Sequence, residues 1–384
     1  MKDRQNNPLL KVKEFGQSIW LDYISREIIN NGKLKKLIDE DGICGVTSNP
    51  SIFEKAIDKG KEYKDTIHNL VLEDKSKEDI YEELTIQDIQ STADILRPVF
   101  DEAHGQDGFI SLEVSPYLAH KTEETINEAR HLWRRANRSN VMIKVPAIRE
   151  SIPAIRQLIS AGLNINITLL FGLDRYKEVI EAYLSGLEDR LQAGKPIGNI
   201  ASVASFFLSR IDVLVDPILK KIIDEGGQKS EIARSLVGQT AISNAKLAYR
   251  IYQETFSSDR FRTLSENGAH TQRLLWASTS TKNPEYSDIK YVEPLIGPDT
   301  INTMPEETID AYRDHGNPAK RLEEGVDKAF QNLQKLKEIG IDINEVTHQL
   351  EVEAVDKFIQ PYDKLMQTLD RTIKTEQQDK NTAK

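Results

Sequence analysis

The stretch Asn164-Ile165-Asn166-Ile167-Thr168 alternates polar and apolar side chains at every step. Successive side chains of a strand point to opposite faces, so Ile165 and Ile167 share one face and Asn164, Asn166 and Thr168 the other. Taken alone, that is also how a solvated edge strand reads. Its neighbours repeat the pattern. Phe109-Ile110-Ser111-Leu112-Glu113-Val114 sets Ser111 and Glu113 against Ile110, Leu112 and Val114, and Val141-Met142-Ile143-Lys144-Val145 sets Lys144 against Ile143 and Val145. Trp20 shares a face with Asp22, Val203 with Ser205, and Trp276 with Ser278. Recurrence across so many segments makes the edge-strand reading untenable for the set.

Short apolar runs of this kind alternate with longer amphipathic stretches to about residue 305. The expected strands are Ser18–Tyr23, Ile43–Ser48, Phe109–Val114, Val141–Val145, Asn164–Thr168, Ala201–Ser205, Arg273–Ala277 and Thr300–Met304. The expected helices between them are Ile24–Asp39, Glu123–Ala136, Ile152–Ala161, Arg175–Gln192, Phe207–Asp224 and Gln228–Glu254. Strands alternating with helices imply parallel βα units. Eight such units are the count of a closed (β/α)8 TIM barrel, and a doubly wound open sheet is the competing architecture. Charged helical pattern from Pro50 to Gly108 reads as additional helices between strands 2 and 3. Helix returns from Glu306 on, with clear pattern over Gly325–Glu338 and Val346–Leu369, packed across the barrel or its mouth. One domain over residues 1–369 is expected. Residues 370–384 are polar, lack a core face and read as a disordered tail.

Polar groups on the inner face of a packed barrel need a reason. Asp22, Asn49, Glu113, Lys144, Thr168, Ser205 and Ser278 fall at the C-terminal ends of their strands, the end where barrels carry active sites. Lys144, between apolar neighbours in a buried strand, must be paired or lose its charge, and a neutral amine attacks carbonyl carbon. Glu113 and Asp22 can shuttle protons for carbinolamine dehydration and carbon–carbon cleavage. The bland alternative, a buried Lys–Glu ion pair, is a poor source of stability. Asn49-Pro50 also reads as an N-cap followed by proline at the first helical position. Arg210, five residues after Ser205, also fits a surface salt bridge. Lys282 sits in the hydroxyl-rich Ser278-Thr279-Ser280-Thr281-Lys282-Asn283-Pro284, which follows the seventh strand, where barrels often hold phosphate. An ordinary polar loop reads the same way.

The whole chain constrains the chemistry further. Its 384 residues are 39% hydrophobic and 29% charged, enough for one large folded barrel. A formal net charge of −10 argues against nucleic acid as the main partner. A single cysteine, Cys44, excludes an intrachain disulfide and a cysteine-based zinc site and fits a cytoplasmic setting. The start is polar, without the apolar core of a signal peptide, and no run reaches the roughly 20 apolar residues of a membrane span. The histidines lack HExxH or paired-ligand spacing, and neither GxGxxG after the first strand nor GxxxxGK[ST] occurs. No metal or cofactor is expected, which disfavours metal-dependent aldol chemistry.

At these motifs the sequence resembles the transaldolases. Gly45-Val46-Thr47-Ser48-Asn49-Pro50-Ser51-Ile52-Phe53 resembles the first signature of that family. Val141–Ala147, with Ile152–Ile155, resembles the second, which carries the Schiff-base lysine. Asn164–Phe171, Arg273–Asp288, Gln17–Asp22 and Leu295–Pro305 are similar to it as well, so the likeness runs to about residue 365 and is greatest to the longer, single-function bacterial members, cyanobacterial and actinobacterial ones included. The resemblance implies that Lys144 forms the imine with a ketose donor. Glu113 then relays protons through a water held with Thr168, and Asp22 takes the proton of the donor hydroxyl. Asn49 and Asn166 hydrogen-bond the dihydroxyacetone unit, supported by Thr47. Ser205 contacts the substrate hydroxyls, Phe207 lines the wall, and Arg210, Ser278 and Lys282 hold the phosphate. The implied reaction converts sedoheptulose 7-phosphate and glyceraldehyde 3-phosphate to erythrose 4-phosphate and fructose 6-phosphate in the non-oxidative pentose phosphate pathway, by a monomer or homodimer. Ile148, Ser151 and Ser280 depart from the family pattern, the two serines standing where glycine is usual. They are expected to strain loops that need positive φ.

Three alternatives carry different signatures. A fructose 6-phosphate aldolase shares the imine but differs in its proton relay, which Glu113 disfavours. A non-catalytic sugar-phosphate binder is expected to lack Lys144, Glu113 or Asp22. An unrelated cofactor-free barrel leaves the motifs unexplained.

Overall fold

The computed structural model describes residues 7–382. Eight parallel strands close in chain order: β1 (Gln17–Leu21), β2 (Gly45–Val46), β3 (Phe109–Glu113), β4 (Val141–Pro146), β5 (Ile165–Leu170), β6 (Ser202–Phe207), β7 (Arg273–Ala277) and β8 (Thr300–Met304). β1 pairs with β8 from Gln17↔Thr300 to Leu21↔Met304, and with β2 on its other side. That closure excludes the open sheet and makes the fold a (β/α)8 barrel. No helix among the described residues is long and apolar enough to cross a membrane.

β2 is shorter than the expected Ile43–Ser48. Its backbone bonds nonetheless continue on both sides, Cys44 N–H to Ile19 O at 2.8 Å and Thr47 N–H to Leu21 O at 2.8 Å. Trp20 sets the local limit. A Cβ on Gly45 would lie 2.5 Å from the Trp20 indole, so the ring can enter the barrel only because Gly45 has no side chain.

The floor of the barrel is polar, and its charged groups pair across it. Arg273 donates to Ser18 Oγ at 2.7 Å and Thr300 O at 2.8 Å and lies 3.3 Å from Asp107. Asp107 also accepts from Trp20 Nε1 at 2.7 Å and from Ser18. Charges at this end are neutralised by one another, which leaves the unpaired ones to the opposite end.

Strand register corrects one sequence reading. Ser205 pairs with Leu275 and Phe207 with Ala277, so Leu275 and Ala277 face the interior, while Trp276 lies beside Phe206 on the outer face. There Trp276 meets Phe206 edge-on at 6.2 Å and donates to Leu295 O at 3.1 Å. Trp276 therefore does not share the inner face with Ser278. The chain turns after Ala277, with Ser278 at φ +56°, and that turn brings Ser278 to the mouth.

Most helices fall where periodicity places them, with differences at glycines. The expected Ile24–Asp39 is two helices, Arg26–Asn30 and Lys33–Asp41, divided at Gly32 with φ +78°. Gln228–Glu254 divides at Gly238 (φ +68°) into Gln228–Leu236 and Thr240–Phe256. Pro8–Glu14 and Asp259–Glu266 are further helices that periodicity does not single out. Phe207 closes β6 instead of opening a helix, and Ser209–Glu225 follows.

Between β2 and β3 stand Pro50–Lys59, Lys64–Leu72 and Lys77–Glu102, the additional helices expected there. The last helix, Ile343–Thr382, packs over all three and over Ser209–Glu225, across the barrel mouth. It does not stop at residue 369. Ile373, one turn beyond Leu369, is buried, and Glu376 Oε2 lies 2.7 Å from His68 Nδ1. One apolar residue in phase with Leu365 and Leu369 is enough to extend the stripe where composition reads as tail. Residues 383 and 384 of that expected tail lie outside the described range.

Candidate active site

Lys144 projects from β4 into the barrel, 5% exposed. Its Nζ donates to Ser48 O at 3.1 Å and lies 3.6 Å from Glu113 Oε2, on the neighbouring β3. The two residues are register partners, Glu113↔Lys144, so sheet geometry alone brings them together. Burial raises the Glu113 carboxyl above its ordinary value, and the Lys144 charge opposes that rise. Glu113 Oε2 accepts no hydrogen bond from the described residues.

Asp22, at the end of β1, is also raised by burial, against the pull of Lys144 and a hydrogen bond from Thr47. Thr47 Oγ1 donates to Asp22 Oδ1 at 2.7 Å and lies 2.8 Å from Thr303 Oγ1. This relay of hydroxyls fixes the carboxylate plane. Two carboxyls that burial raises and an amine thus gather at the C-terminal ends of β1, β3 and β4, an arrangement suited to proton transfer.

A cavity of about 370 Å³ opens above them. It is lined by Asp22, Thr47, Asn49, Lys144, Thr168, Ser205, Phe207, Arg210, Ser278 and Lys282, which are the residues singled out in the sequence apart from Glu113 and Asn166. Asn166 is fully buried one layer below. Its Nδ2 donates to Ser111 Oγ at 2.9 Å, and its Oδ1 accepts from Ser205 Oγ at 2.6 Å. Glu113 reaches Lys144 from an adjoining cavity.

Asn49 satisfies both of its readings. Its Oδ1 caps the helix Pro50–Lys59 by accepting from Ile52 N–H at 3.1 Å, which leaves Nδ2 as a donor at the cavity wall. Thr168 Oγ1 is buried without a hydrogen-bond partner among the described residues. The next residue, Leu169, takes φ +57°, and the β5–β6 register slips between Ile167 and Leu170. Non-glycine residues reach positive φ at a cost, and such bulges recur beside active sites.

Arg210 carries no salt bridge among the described residues, so the surface-pair reading fails. Its guanidinium lies between two rings, 5.4 Å from the Phe207 centroid and 5.8 Å from that of Phe358. Nη1 is buried with no hydrogen-bond partner among the described residues, and burial lowers the pKa of the group. An unpaired cation held by aromatic faces at a cavity wall is a ready receptor for an anion. Ser278 Oγ lies 2.9 Å from Ser209 Oγ at the start of the same helix, and Lys282 follows on the loop after β7. The expected strain at Ser151 and Ser280 is absent. Ser151 sits at φ −88°, Ser280 is not at positive φ, and Ser278 is the residue in that loop that carries the left-handed conformation.

Several lining residues escape sequence reasoning. Phe358, Lys357 and Pro361 enter from the helix Ile343–Thr382, and Lys55, Thr303 and Glu307 complete the rim. Phe358 also faces Lys144, with Nζ 6.0 Å from the ring centroid. In sequence, Phe358 is one apolar residue in a helical stripe, with nothing to separate it from core. No cluster of three His, Cys, Asp or Glu side chains suited to a metal occurs among the described residues.

The site therefore offers an amine and an acid at the cavity base, a second carboxyl beside them, and an unpaired guanidinium in the wall. That set can condense with a carbonyl, move protons on both sides of it, and hold a phosphate. Comparison with known proteins agrees with the chemistry. The family model for transaldolase/fructose-6-phosphate aldolase matches residues 19–369. The chain is 48% identical over 373 residues to transaldolase 2 of Nostoc sp., covering 96% of this chain and 98% of that protein. It is 47% identical over 374 residues to the transaldolase of Trichodesmium erythraeum, with the same coverage of 96% and 98%. To the transaldolase of Saccharopolyspora erythraea it is 44% identical over 367 residues, covering 95% and 97%. With a closed barrel, a lysine and carboxyls at its mouth and likeness along nearly its whole length, the chain belongs to the transaldolase/fructose-6-phosphate aldolase family.

Proposed function

We infer that the chain is a transaldolase that moves a dihydroxyacetone unit from sedoheptulose 7-phosphate to glyceraldehyde 3-phosphate, giving erythrose 4-phosphate and fructose 6-phosphate. The observation that carries the mechanism is the Lys144 amine, held at the cavity base by Ser48 O at 3.1 Å with Glu113 3.6 Å away. Lys144 attacks the donor carbonyl. Glu113, whose carboxyl burial raises, gives a proton to the carbinolamine oxygen, and water leaves as the iminium forms. Asp22 takes the proton of the C4 hydroxyl while the C3–C4 bond breaks and its electron pair moves into the iminium. The aldose leaves, and the acceptor aldehyde enters and reverses the steps. Arg210, Ser278 and Lys282 hold the phosphate of either sugar, and Asn49 donates to the three-carbon unit. Asn166 acts on it through Ser205 or by a small movement, since it lies below the cavity wall. Phe207 walls the site beside Arg210.

Borohydride trapping with fructose 6-phosphate separates the two carboxyl roles. Asp22→Asn is expected to form the imine but not cleave it, and so to trap a six-carbon phosphorylated adduct where the parent protein traps a three-carbon one. Glu113→Gln is expected to trap either adduct far more slowly. A three-carbon adduct in Asp22→Asn at the parent rate would contradict the assignment of Asp22.

A further inference from the structure

A second cavity, of about 330 Å³, stands behind the Lys144–Glu113 pair. Its lining runs from Glu78, exposed on the surface, past Tyr81, Glu82 and Glu128 to Glu113. Asn49 and Pro50 belong to both cavities, and Ser48, whose carbonyl holds the Lys144 amine, lines the second. The partition between them is thus the catalytic pair itself with the start of the helix Pro50–Lys59. The side chamber exists because of the additional helices between β2 and β3. Lys77–Glu102 supplies one wall, and Tyr362 of the last helix roofs it by packing edge-on to Tyr81 at 5.6 Å.

The inner surface of the chamber is built to hold water. Liquid water takes about 30 Å³ per molecule, so the space admits several. Glu113 Oε2 accepts no hydrogen bond from the described residues, and Glu128 accepts a bond from Ser115 N–H at 3.0 Å. Burial raises Glu113, Glu128 and Tyr81 alike, and neutral acids both donate to and accept from water.

The reaction needs such a space. Imine formation joins the Lys144 nitrogen to the donor carbon and breaks the carbon–oxygen bond. The Glu113 proton goes to the departing hydroxyl, and one water is released; hydrolysis of the product imine takes one water back. During both steps a sugar phosphate fills the mouth cavity. Resting on the Schiff-base reading above, we propose that the side chamber is a sugar-free passage between Glu113 and solvent, which takes the water released at Lys144 and returns water for hydrolysis.

The test uses fructose 6-phosphate carrying 18O at its carbonyl, incubated with the full-length protein without acceptor, with label loss read by mass spectrometry. Thr85→Met and Leu132→Phe each add bulk to the chamber from a different helix, and neither residue touches Lys144 or the mouth cavity. The Thr85 hydroxyl bonds only carbonyls of its own helix. Each variant is first titrated with fructose 6-phosphate by borohydride trapping, which reports folding and imine formation independently of water exit. Label washout is expected to slow by roughly tenfold in at least one variant whose trapping titration stays within about twofold of the parent, because returning labelled water re-forms the original ketone. Parent-rate washout in both variants overturns the passage and leaves the Schiff base intact. Absence of a trapped adduct in the parent protein instead overturns the Schiff-base reading.

Discussion

Replacing Arg210 with methionine is expected to weaken phosphate binding and leave the fold unharmed. The guanidinium has no carboxylate partner among the described residues, and its Nη1 is buried and unbonded. Removing it therefore orphans no buried charge, which is the usual reason that loss of a buried ion is destabilising. Two ring contacts are lost, at about 0.5–1 kcal/mol each. The thioether refills the space between Phe207 and Phe358, and an unpaired desolvated cation disappears. The net change in unfolding free energy is expected to stay within about 1 kcal/mol. Binding pays in full. Hydrogen bonds to charged groups contribute about 1.5–3 kcal/mol each, so two to a phosphate amount to about 3–6 kcal/mol. At about 1.4 kcal/mol per decade, kcat/KM for fructose 6-phosphate should fall roughly 10²–10⁴-fold. The loss should lie mainly in KM, since the phosphate is held alike in ground and transition states. The assay is steady-state transfer to erythrose 4-phosphate beside chemical denaturation, with dihydroxyacetone as a donor that carries no phosphate. Loss of dihydroxyacetone imine formation equal to the loss with the phosphorylated donor refutes the reasoning, as does a destabilisation of about 3 kcal/mol.

Other substitutions probe neighbouring parts of the account. Burial holds the Asp22 carboxyl above its ordinary value of 3.8, so the folded state binds its proton more tightly than the unfolded chain. Stability from this residue is then full below that value and declines as pH rises through the folded value. Asp22→Asn keeps the acceptor for Thr47 and should be more stable than the parent at pH 7 by about 1 kcal/mol, with the gap closing towards pH 4; a gap that widens on acidification contradicts the sign. Phe358→Ala removes the ring shared by Lys144 and Arg210, at 6.0 and 5.8 Å, and should lower kcat/KM about 5–30-fold, with Phe358→Tyr close to the parent. Equal kinetics for Ala and Tyr at that position deny the ring a role. Gly45→Ala places a methyl 2.5 Å from the Trp20 indole, which Asp107 anchors at 2.7 Å, and should cost about 2–3 kcal/mol in denaturant unfolding.

The strands were readable because a barrel strand writes its two faces directly into the sequence. Ser111, Glu113, Lys144 and Asn166 all turn inward as their alternation requires. Trp276 misleads because alternation gives two faces without saying which is inner, and an outer face roofed by the loop around Leu295 tolerates a tryptophan as well as the interior does. Glu113 was legible as the partner of Lys144, but not as the wall of a separate chamber, since the helices that enclose that chamber come from before β3, from after it and from the last helix, and their packing has no local signature. Arg210 gave no sign of its isolation. The absence of a partner is a property of everything around it, two rings included, and one of those rings arrives from Phe358 nearly 150 positions later. The continuation of the last helix past residue 369 turns on a single apolar residue, Ile373, too small a signal against its polar neighbours.

The most direct measurement is peptide mass spectrometry of the protein reduced with borohydride in the presence of fructose 6-phosphate, run beside Lys144→Ala. A reduced three-carbon adduct on the peptide containing Lys144, absent from the substituted protein, is the predicted result. An adduct on a different lysine, or none in folded and ligand-binding protein, contradicts the central assignment.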